Sequence, residues 1–296
     1  MFKNAYLFRI ESDVELIHTD IELALEAAPF IRCMPAQATS SGFIPPRGHA
    51  NGPMVESVGG QWIIKLMTET KTVPADVLQR ELDLRCKAIE SSSGRKPGKK
   101  ERKEIKEEVL FELLPKAFPK QSVAQIWINP ETRLMVVDAS TASRASDAVM
   151  ALTSALKVFN FHQITTHHAP WSFMYECLLE DEDIGDFAVG RSIRLESTDE
   201  SKAIVRHQNK ELRTDEIRAH LQEMLPTQLD FTYDSRVDFT LTDMLVLKKI
   251  RLLDTVEGEA NDEFDANVML FTGEMTPLID DLIEALDGEH KIGAEE

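Results

Sequence analysis

The feature that most constrains the fold is a basic stretch at residues 95–120, which interrupts an otherwise acidic chain. Its lysines and arginines outnumber its glutamates by 9 − 5 = +4, whereas the whole chain carries −18, so the other residues must carry −18 − 4 = −22. Within the stretch, Ile105 and Val109 recur at helical spacing, while Arg102 and Lys103 fall largely elsewhere on the helical wheel. The pattern predicts a helix that packs with one face and leaves cations free to bind on another.

Helix-breaking residues on both sides indicate that this helix is half of a hairpin. An apolar stripe at residues 77–90 predicts a preceding helix, and the serines, glycines and proline of residues 91–98 predict a turn. We expect the second helix to run from about residue 99 to 114, because Pro115 stops it. Residues 77–118 are therefore predicted to form an inserted helical hairpin with a basic turn.

Short apolar or alternating segments elsewhere predict β-strands and a few further helices. Strands are expected at residues 5–10, 61–67, 123–128, 134–138, 187–195, 203–206, 228–233, 236–242, 244–253 and 268–272. Further helices are expected at residues 20–25, 143–157, 214–225 and 277–286, with caps at Ser143 and Thr214. The fold class is α+β with mixed or antiparallel sheets. Residues 1–76 and 119–168 are expected to form an N-terminal α+β core, and residues 169–296 a C-terminal α+β domain.

Composition excludes several classes of protein. Hydrophobic residues make up 43% of the chain, which is ample for a buried core. The three cysteines show no CxxC pairing, and no apolar run approaches the roughly 20 residues that cross a bilayer. We therefore expect a cytoplasmic protein with no membrane partner. The charge of −18 also means that any contact with nucleic acid must be confined to a local basic face.

Enzyme signatures are missing, so we expect no enzymatic activity, no metal and no cofactor. The sequence contains no GxGxxG, GxxxxGK[ST] or GxSxG motif. The histidines of residues 162–168 and the acidic residues of 176–183 lack the helical spacing of metal ligands. Asp138, at the end of a strand, could be a catalytic carboxylate, but capping the turn before Ser143 is the better interpretation.

The turn from Arg95 to Lys103 predicts a phosphate-binding surface, because its cations greatly outnumber Glu101 and a turn splays side chains outward. The run has no aromatic residue to stack on bases, so contact with a duplex backbone fits better than binding of a single strand. A solvated face laced with intrahelical ion pairs remains an alternative of similar weight. By residue type alone, Phe118 favours core packing after the helix stop. The predicted DNA-binding residues of the turn are Arg95, Lys96, Lys99, Lys100, Arg102 and Lys103.

Several motifs, in the same order along almost the whole chain, resemble the family of the bacterial recombination-associated protein RdgC. They are Phe2-Lys3-Asn4, Gly42-Phe43-Ile44-Pro45-Pro46, Leu113-Leu114-Pro115-Lys116-Ala117-Phe118, Trp127-Ile128, Met135-Val136-Val137-Asp138, Phe264-Asp265-Ala266, Thr272-Gly273-Glu274 and Leu282-Ile283-Glu284-Ala285-Leu286. The Leu-Leu-Pro-Lys-Ala-Phe string is the most specific of them.

The resemblance implies a homodimer closed into a ring by two interfaces, with double-stranded DNA passing through a basic central hole. It also implies sequence-independent binding, inhibition of RecA-promoted strand exchange, and a nucleoid-associated location in the cytoplasm. The alternatives are a metal-dependent DNA-processing enzyme that uses Asp138, and a protein-interaction scaffold that does not bind DNA.

The resemblance also implies roles for individual residues. Phe118 matches the family's interface aromatic, which reverses the assignment to the core, and Lys116 and Lys120 on either side of it are expected to contact DNA. The second interface would use the hairpin equivalent to residues 206–211. Its expected contributions are Gln208 and Asn209 to the dimer and Arg206 and Lys210 to DNA. Relatives carry consecutive lysines in this hairpin, so its charge is reduced here.

Overall fold

The computed structural model describes residues 2–157, 159–180, 182–253 and 263–290. The strands are β1 (Asn4–Ile10), β2 (Thr39–Ile44), β3 (Val55–Val58), β4 (Gln61–Lys71), β5 (Pro119–Asn129), β6 (Leu134–Asp138), β7 (Phe161–Gln163), β8 (Phe187–Ser197), β9 (Ile204–His207), β10 (Met224–Tyr233), β11 (Val237–Thr242) and β12 (Val246–Leu252). The helices are α1 (His18–Glu26), α2 (Ala75–Ser93), α3 (Lys99–Leu113), α4 (Ala142–Leu156), α5 (Pro170–Leu179), α6 (Asp215–His220) and α7 (Glu263–Ala285).

The strands form one sheet in the order β2-β4-β5-β6-β1-β12-β11-β10-β8-β9, with β3 beside β4 and β7 beside β1. Every pairing between these strands is antiparallel. The predicted α+β class with an antiparallel sheet is confirmed. The first strand lies in the middle, where it pairs with β6 on one side and with β12 on the other. The sheet therefore crosses the expected boundary near residue 168, and the division into two units stays a prediction.

Alternation along the central strands gives the sheet two buried faces. On β1, Ala5 and Leu7 join one apolar cluster, whereas Tyr6 and Phe8 join another. The first cluster also contains buried residues of α5 and α7, and the second contains buried residues of α1 and α4. Burying one such large apolar side chain contributes about 1.5–3 kcal/mol, so both helical layers hold this part of the sheet in place.

The two helices between β4 and β5 form the predicted hairpin, with bounds within a few residues of those expected. Leu82 of α2 packs with Ile105 and Val109 of α3 in a small cluster of their own. Gly94 ends α2 in the left-handed region at φ 70, where glycine is favoured because it has no Cβ. A 3₁₀ turn, Leu114–Lys116, then leads into β5.

The strand predicted at residues 268–272 is wrong, because these residues lie inside α7. Val268, Phe271 and Met275 are buried at intervals of three and four residues, which is the helical period. A short apolar run does not distinguish a buried strand from a buried helix, which explains the error. Pro277, which we expected near a helix start, lies within the same helix.

Two other helix ends differ from the sequence-based expectation. The N-cap of α4 is Thr141, whose side chain accepts a hydrogen bond from the Arg144 amide, and not Ser143. Thr214 caps α6 as expected, accepting from the Ile217 amide, but the helix ends at His220. Residues from 224 onward instead pair with β8, so strand pairing overrides the local helical pattern.

Among the described residues, every helix is too short or too polar to pass through a lipid bilayer.

Candidate nucleic-acid interface

The turn between α2 and α3 exposes all six predicted cations, and four of them form ion pairs within the hairpin. The pairs are Arg95 with Glu101 at 2.8 Å, Lys96 with Glu90 at 3.9 Å, Arg102 with Asp83 at 2.8 Å, and Lys103 with Glu107 at 3.8 Å. The hydrogen bond from Arg95 lowers the pKa of Glu101, and the Glu101 partner raises the pKa of Arg95. Exposed pairs of this kind contribute roughly 0–1 kcal/mol. A phosphate can therefore replace the carboxylate at small cost.

Lys99 and Lys100 differ from the other four cations of the turn. Both are exposed in the first turn of α3, and within the described residues neither forms an ion pair at 4.0 Å or less. The positive end of the helix dipole lies at this position, so a lysine here is unfavourable by about 0.3–1 kcal/mol relative to an anion. Folding stability therefore gives no reason for two adjacent lysines at this end of the helix, whereas binding of an anionic ligand does.

Phe118 is 94% exposed between the 3₁₀ turn and β5, so its assignment to the core from residue type is wrong. Lys116 and Lys120 on either side of it are exposed as well. The hairpin exposes two further large apolar side chains, Leu84 on α2 and Phe111 on α3. Exposed aromatic residues rimmed by charges are typical of protein-binding surfaces.

The second predicted group lies at the opposite edge of the sheet, at the end of β9. Arg206, Gln208, Asn209 and Lys210 are all exposed there. Asn209 has φ 56, a left-handed conformation that asparagine tolerates, and its carbonyl oxygen accepts a hydrogen bond of 3.2 Å from the Arg191 guanidinium. The amide of Lys210 donates to the Arg191 carbonyl oxygen at 3.2 Å, which ties this loop to β8.

The predicted DNA-binding residues thus form two groups and not one continuous surface. Six strands separate β5, which follows the basic hairpin, from β9. At about 4.8 Å per strand, the two groups are roughly 34 Å apart along the sheet.

A third set of cations adjoins the second group, and except for Arg206 none of them was predicted from the sequence. The face of β8, β10 and β11 opposite the apolar cluster is polar, and Arg194, Arg206 and Lys249 line a cleft of about 220 Å³ on it. An adjoining cleft is lined by Arg191 and Arg251. The face is not purely basic, since Asp230 accepts from the Thr240 hydroxyl and Asp238 pairs with Arg251, and both acids line the adjoining cleft.

The alternation of β10 could have revealed this polar face. Gln228, Asp230 and Thr232 alternate with the buried Leu229 and Phe231, which is the period-two pattern of a strand with one solvent-exposed face. The pairing with β8 also requires Gly190, because a Cβ there would lie 2.8 Å from the Asp230 carbonyl oxygen.

Asp138 anchors the start of the chain and does not cap the turn before α4, so that interpretation is wrong. Its Oδ2 accepts from the Lys3 amide at 3.1 Å, and its Oδ1 accepts from the Asn4 amide at 3.0 Å and from the Asn4 side chain at 3.2 Å. Both oxygens are therefore occupied by N–H donors, which does not match a free catalytic carboxylate.

Two of the three histidines of residues 162–168 contact carboxylates, whereas the ring of His167 lies against that of His290. His162 Nδ1 lies 2.7 Å from the Glu11 carboxylate, and its Nε2 lies 3.3 Å from the Glu289 carboxylate. The two carboxylates thus contact different nitrogens of the ring. His168 lies 3.4 Å from Glu176. Neither arrangement brings three metal-ligating atoms together.

Comparison with known proteins identifies one family. A family model described as "Putative exonuclease, RdgC" matches residues 1–289. The "Recombination-associated protein RdgC" of Cupriavidus necator is 35% identical and covers 98% of this chain and 99% of its own. The proteins of the same name from Dechloromonas aromatica and Bordetella pertussis are 31% and 30% identical, with 97–98% of this chain and 98–99% of the relative covered.

Proposed function

The chain belongs to the RdgC family of recombination-associated proteins, and from this membership we propose that it binds double-stranded DNA without sequence preference. In this proposal two copies close into a ring around the duplex, and the bound ring restrains RecA-promoted strand exchange in the nucleoid. The protein acts by binding and occlusion and not by catalysis.

The observation that carries the proposal is the pairing of cations with a contact surface at each end of one sheet. At one end, the exposed Lys116 and Lys120 flank the exposed Phe118 at the exit of the hairpin insertion. At the other end, Arg206 and Lys210 flank the exposed Gln208 and Asn209. A two-fold dimer uses the same patch on both copies, so contacts at both ends would close a ring with cations near each junction.

The charge distribution favours encirclement over an open binding face. A protein of net charge −18 repels DNA at long range, so contact must occur where cations are concentrated. Phosphate contacts position a protein on DNA but carry no sequence information directly. The basic turn has no aromatic residue that would stack on bases. Topological retention by a ring requires neither base contacts nor a positive exterior.

Binding to relaxed circular and to linear duplex with blocked ends tests the ring directly. A ring that must thread onto an end binds unblocked linear DNA but neither of these two substrates, whereas a gated ring binds all three. Two unrelated sequences of equal length should bind with equal affinity. Absence of any duplex binding at low salt would overturn the proposal and favour the scaffold alternative.

The family description "Putative exonuclease" supports a second candidate function, a metal-dependent nuclease. Against it, both carboxylate oxygens of Asp138 already accept hydrogen bonds from backbone or side-chain N–H groups. Incubating linear plasmid with the protein and Mg²⁺ tests this alternative. Degradation that disappears in Asp138→Asn, while duplex binding persists, would replace the binding-only function with nuclease activity.

A further inference from the structure

We propose that His207, Glu216 and His220 form a binding site for a transition-metal dication of the zinc type. One ligand atom from each of the three residues lies within 4.8 Å of the other two, and this is the one such group of three among the described residues. The site joins two elements, since His207 is the last residue of β9 and the other two belong to α6. The site adjoins the second predicted group, because His207 lies between Arg206 and Gln208 in the chain, but none of its three ligands was predicted to contact DNA.

Local structure explains how the three side chains meet. Glu216 and His220 are four residues apart on α6, so they project from the same face of the helix. Thr214 fixes the start of this helix, and the buried Ile217 fixes its rotation against the core. The ring centroids of His207 and His220 are 5.7 Å apart and the ring planes meet at 49°, so the two imidazoles are neighbours.

The buried nitrogen of His207 is the second, independent observation. His207 is only 9% exposed, and its Nε2 has no hydrogen-bond partner in the described part of the chain. Leaving a buried polar atom unsatisfied is destabilising, and native proteins rarely do so without a reason. Each imidazole nitrogen can bind a metal when it is unprotonated, so a cation would turn an unsatisfied atom into a ligand.

The donor set selects the class of metal. Two imidazoles and a carboxylate are the protein ligands of many zinc sites that keep a fourth position for water, and they disfavour Mg²⁺ and Ca²⁺, which prefer oxygen. Zinc ligands lie about 2.0–2.2 Å from the ion, so neighbouring donors must approach to roughly 3.3 Å. Glu216 is exposed and His220 half-buried, so both side chains can change rotamer and bring their donor atoms closer together.

Metal binding would clamp the end of β9 to α6. The residues directly after His207 are Gln208 and Asn209, which form the exposed loop at the edge of the sheet. This metal site does not depend on the proposed DNA function. All three ligands belong to one chain, and the effect of zinc on folding stability can be measured without DNA.

Metal content and titration test the site in the untagged full-length protein, because a polyhistidine tag would itself bind zinc. After treatment with EDTA and dialysis, the wild type should take up one Zn²⁺ per chain in calorimetry, and Zn²⁺ should raise its Tm. Co²⁺ in place of Zn²⁺ should produce an absorption band in the visible range, with the intensity that is typical of four-coordinate Co²⁺. His220→Ala should weaken zinc binding at least tenfold, and Glu216→Gln should weaken it by about tenfold.

Matched controls separate this site from adventitious surface binding. His49→Ala and Glu26→Gln remove exposed residues of the same types elsewhere and should leave one zinc bound with unchanged affinity. The primary variants change α6 residues that are not fully buried, so the metal-free variants should fold, which circular dichroism checks. A wild type that takes up no zinc, or a His220→Ala variant that binds one zinc as tightly as the wild type, would overturn the proposal.

Discussion

Neutralising Lys99 and Lys100 together is the most informative test of DNA binding, because these two exposed cations form no ion pair within the described residues. Lys99→Gln with Lys100→Gln removes up to two phosphate contacts per chain, and thus up to four from the proposed dimer, without breaking an ion pair of the described residues. Each phosphate contact adds about −0.9 to the slope of log affinity against log salt for duplex DNA. When the dimer binds, the double variant should therefore have a slope shallower by up to about 3.6.

The slope converts into a measurable change in affinity. Between 50 and 200 mM salt, log salt changes by about 0.6, so the double variant should lose up to about 2.2 fewer log units of affinity than the wild type over this range. The difference in affinity between the two proteins is thus largest at 50 mM and shrinks by up to roughly 150-fold by 200 mM. Fluorescence anisotropy with two unrelated duplexes measures both curves, and both sequences should respond equally.

The matched control removes the same charge from another surface. Lys157→Gln with Lys202→Gln also changes the net charge from −18 to −20, and both lysines are exposed outside the hairpin. This variant should keep the wild-type slope, since its side chains lie outside the expected contact surface. An unchanged slope in the Lys99/Lys100 variant would show that these side chains do not contact DNA. Equal losses in both variants would mean that net charge alone governs binding.

Four further predictions concern the dimer and the fold. Phe118→Ser should leave the urea midpoint of the dissociated single chain within experimental error, because the side chain is 94% exposed there. It should weaken the dimer by about 2 kcal/mol or more, roughly 30-fold in Kd, in sedimentation on dilution, and a full-strength dimer would refute the placement. Gly42→Ala would put a Cβ 2.5 Å from backbone atoms of Phe30 and should destabilise the fold by about 1–3 kcal/mol. By contrast, Gly273→Ala, within α7 and with nothing within 4 Å, should stabilise it by roughly 0.5–1 kcal/mol in the same urea titration. Hydrogen bonds from the Gln121 side chain and the Cys33 amide lower the pKa of Glu69 below 4.5. Its stabilisation is therefore present above pH 4.5 and lost as pH falls through the lowered value, so Glu69→Gln should flatten the fall of the urea midpoint between pH 5 and pH 3. An equally steep fall in that variant would contradict this assignment.

Local patterns in the sequence determined the helical hairpin, the basic turn and the hairpins β5–β6 and β10–β11. Each depends on residues that are close together in the sequence. These are the apolar stripes of the two helices, Pro115 at the helix end, and the turn at Asp234-Ser235. Such short-range signals persist whatever the chain packs against. The match along nearly the whole chain added the family, which no single element determined.

Tertiary structure decided the properties that depend on partners distant in sequence. Residues 268–272 are helical because α7 buries a helical stripe against the sheet, and a five-residue apolar run is compatible with either conformation. Phe118 is exposed because the insertion leaves it beyond the core, which its residue type did not reveal.

The cations and candidate ligands follow the same rule. Whether a lysine in the basic turn is free or paired depends on carboxylates across the hairpin, such as Asp83 opposite Arg102. The four-residue spacing of Glu216 and His220 is visible in the sequence, but His207 meets them only because β9 and α6 pack together. The sequence determined which chemical groups are available, and the packing of distant segments determined which of them act together, because interactions of this kind fall off within a few ångströms in space and not along the chain.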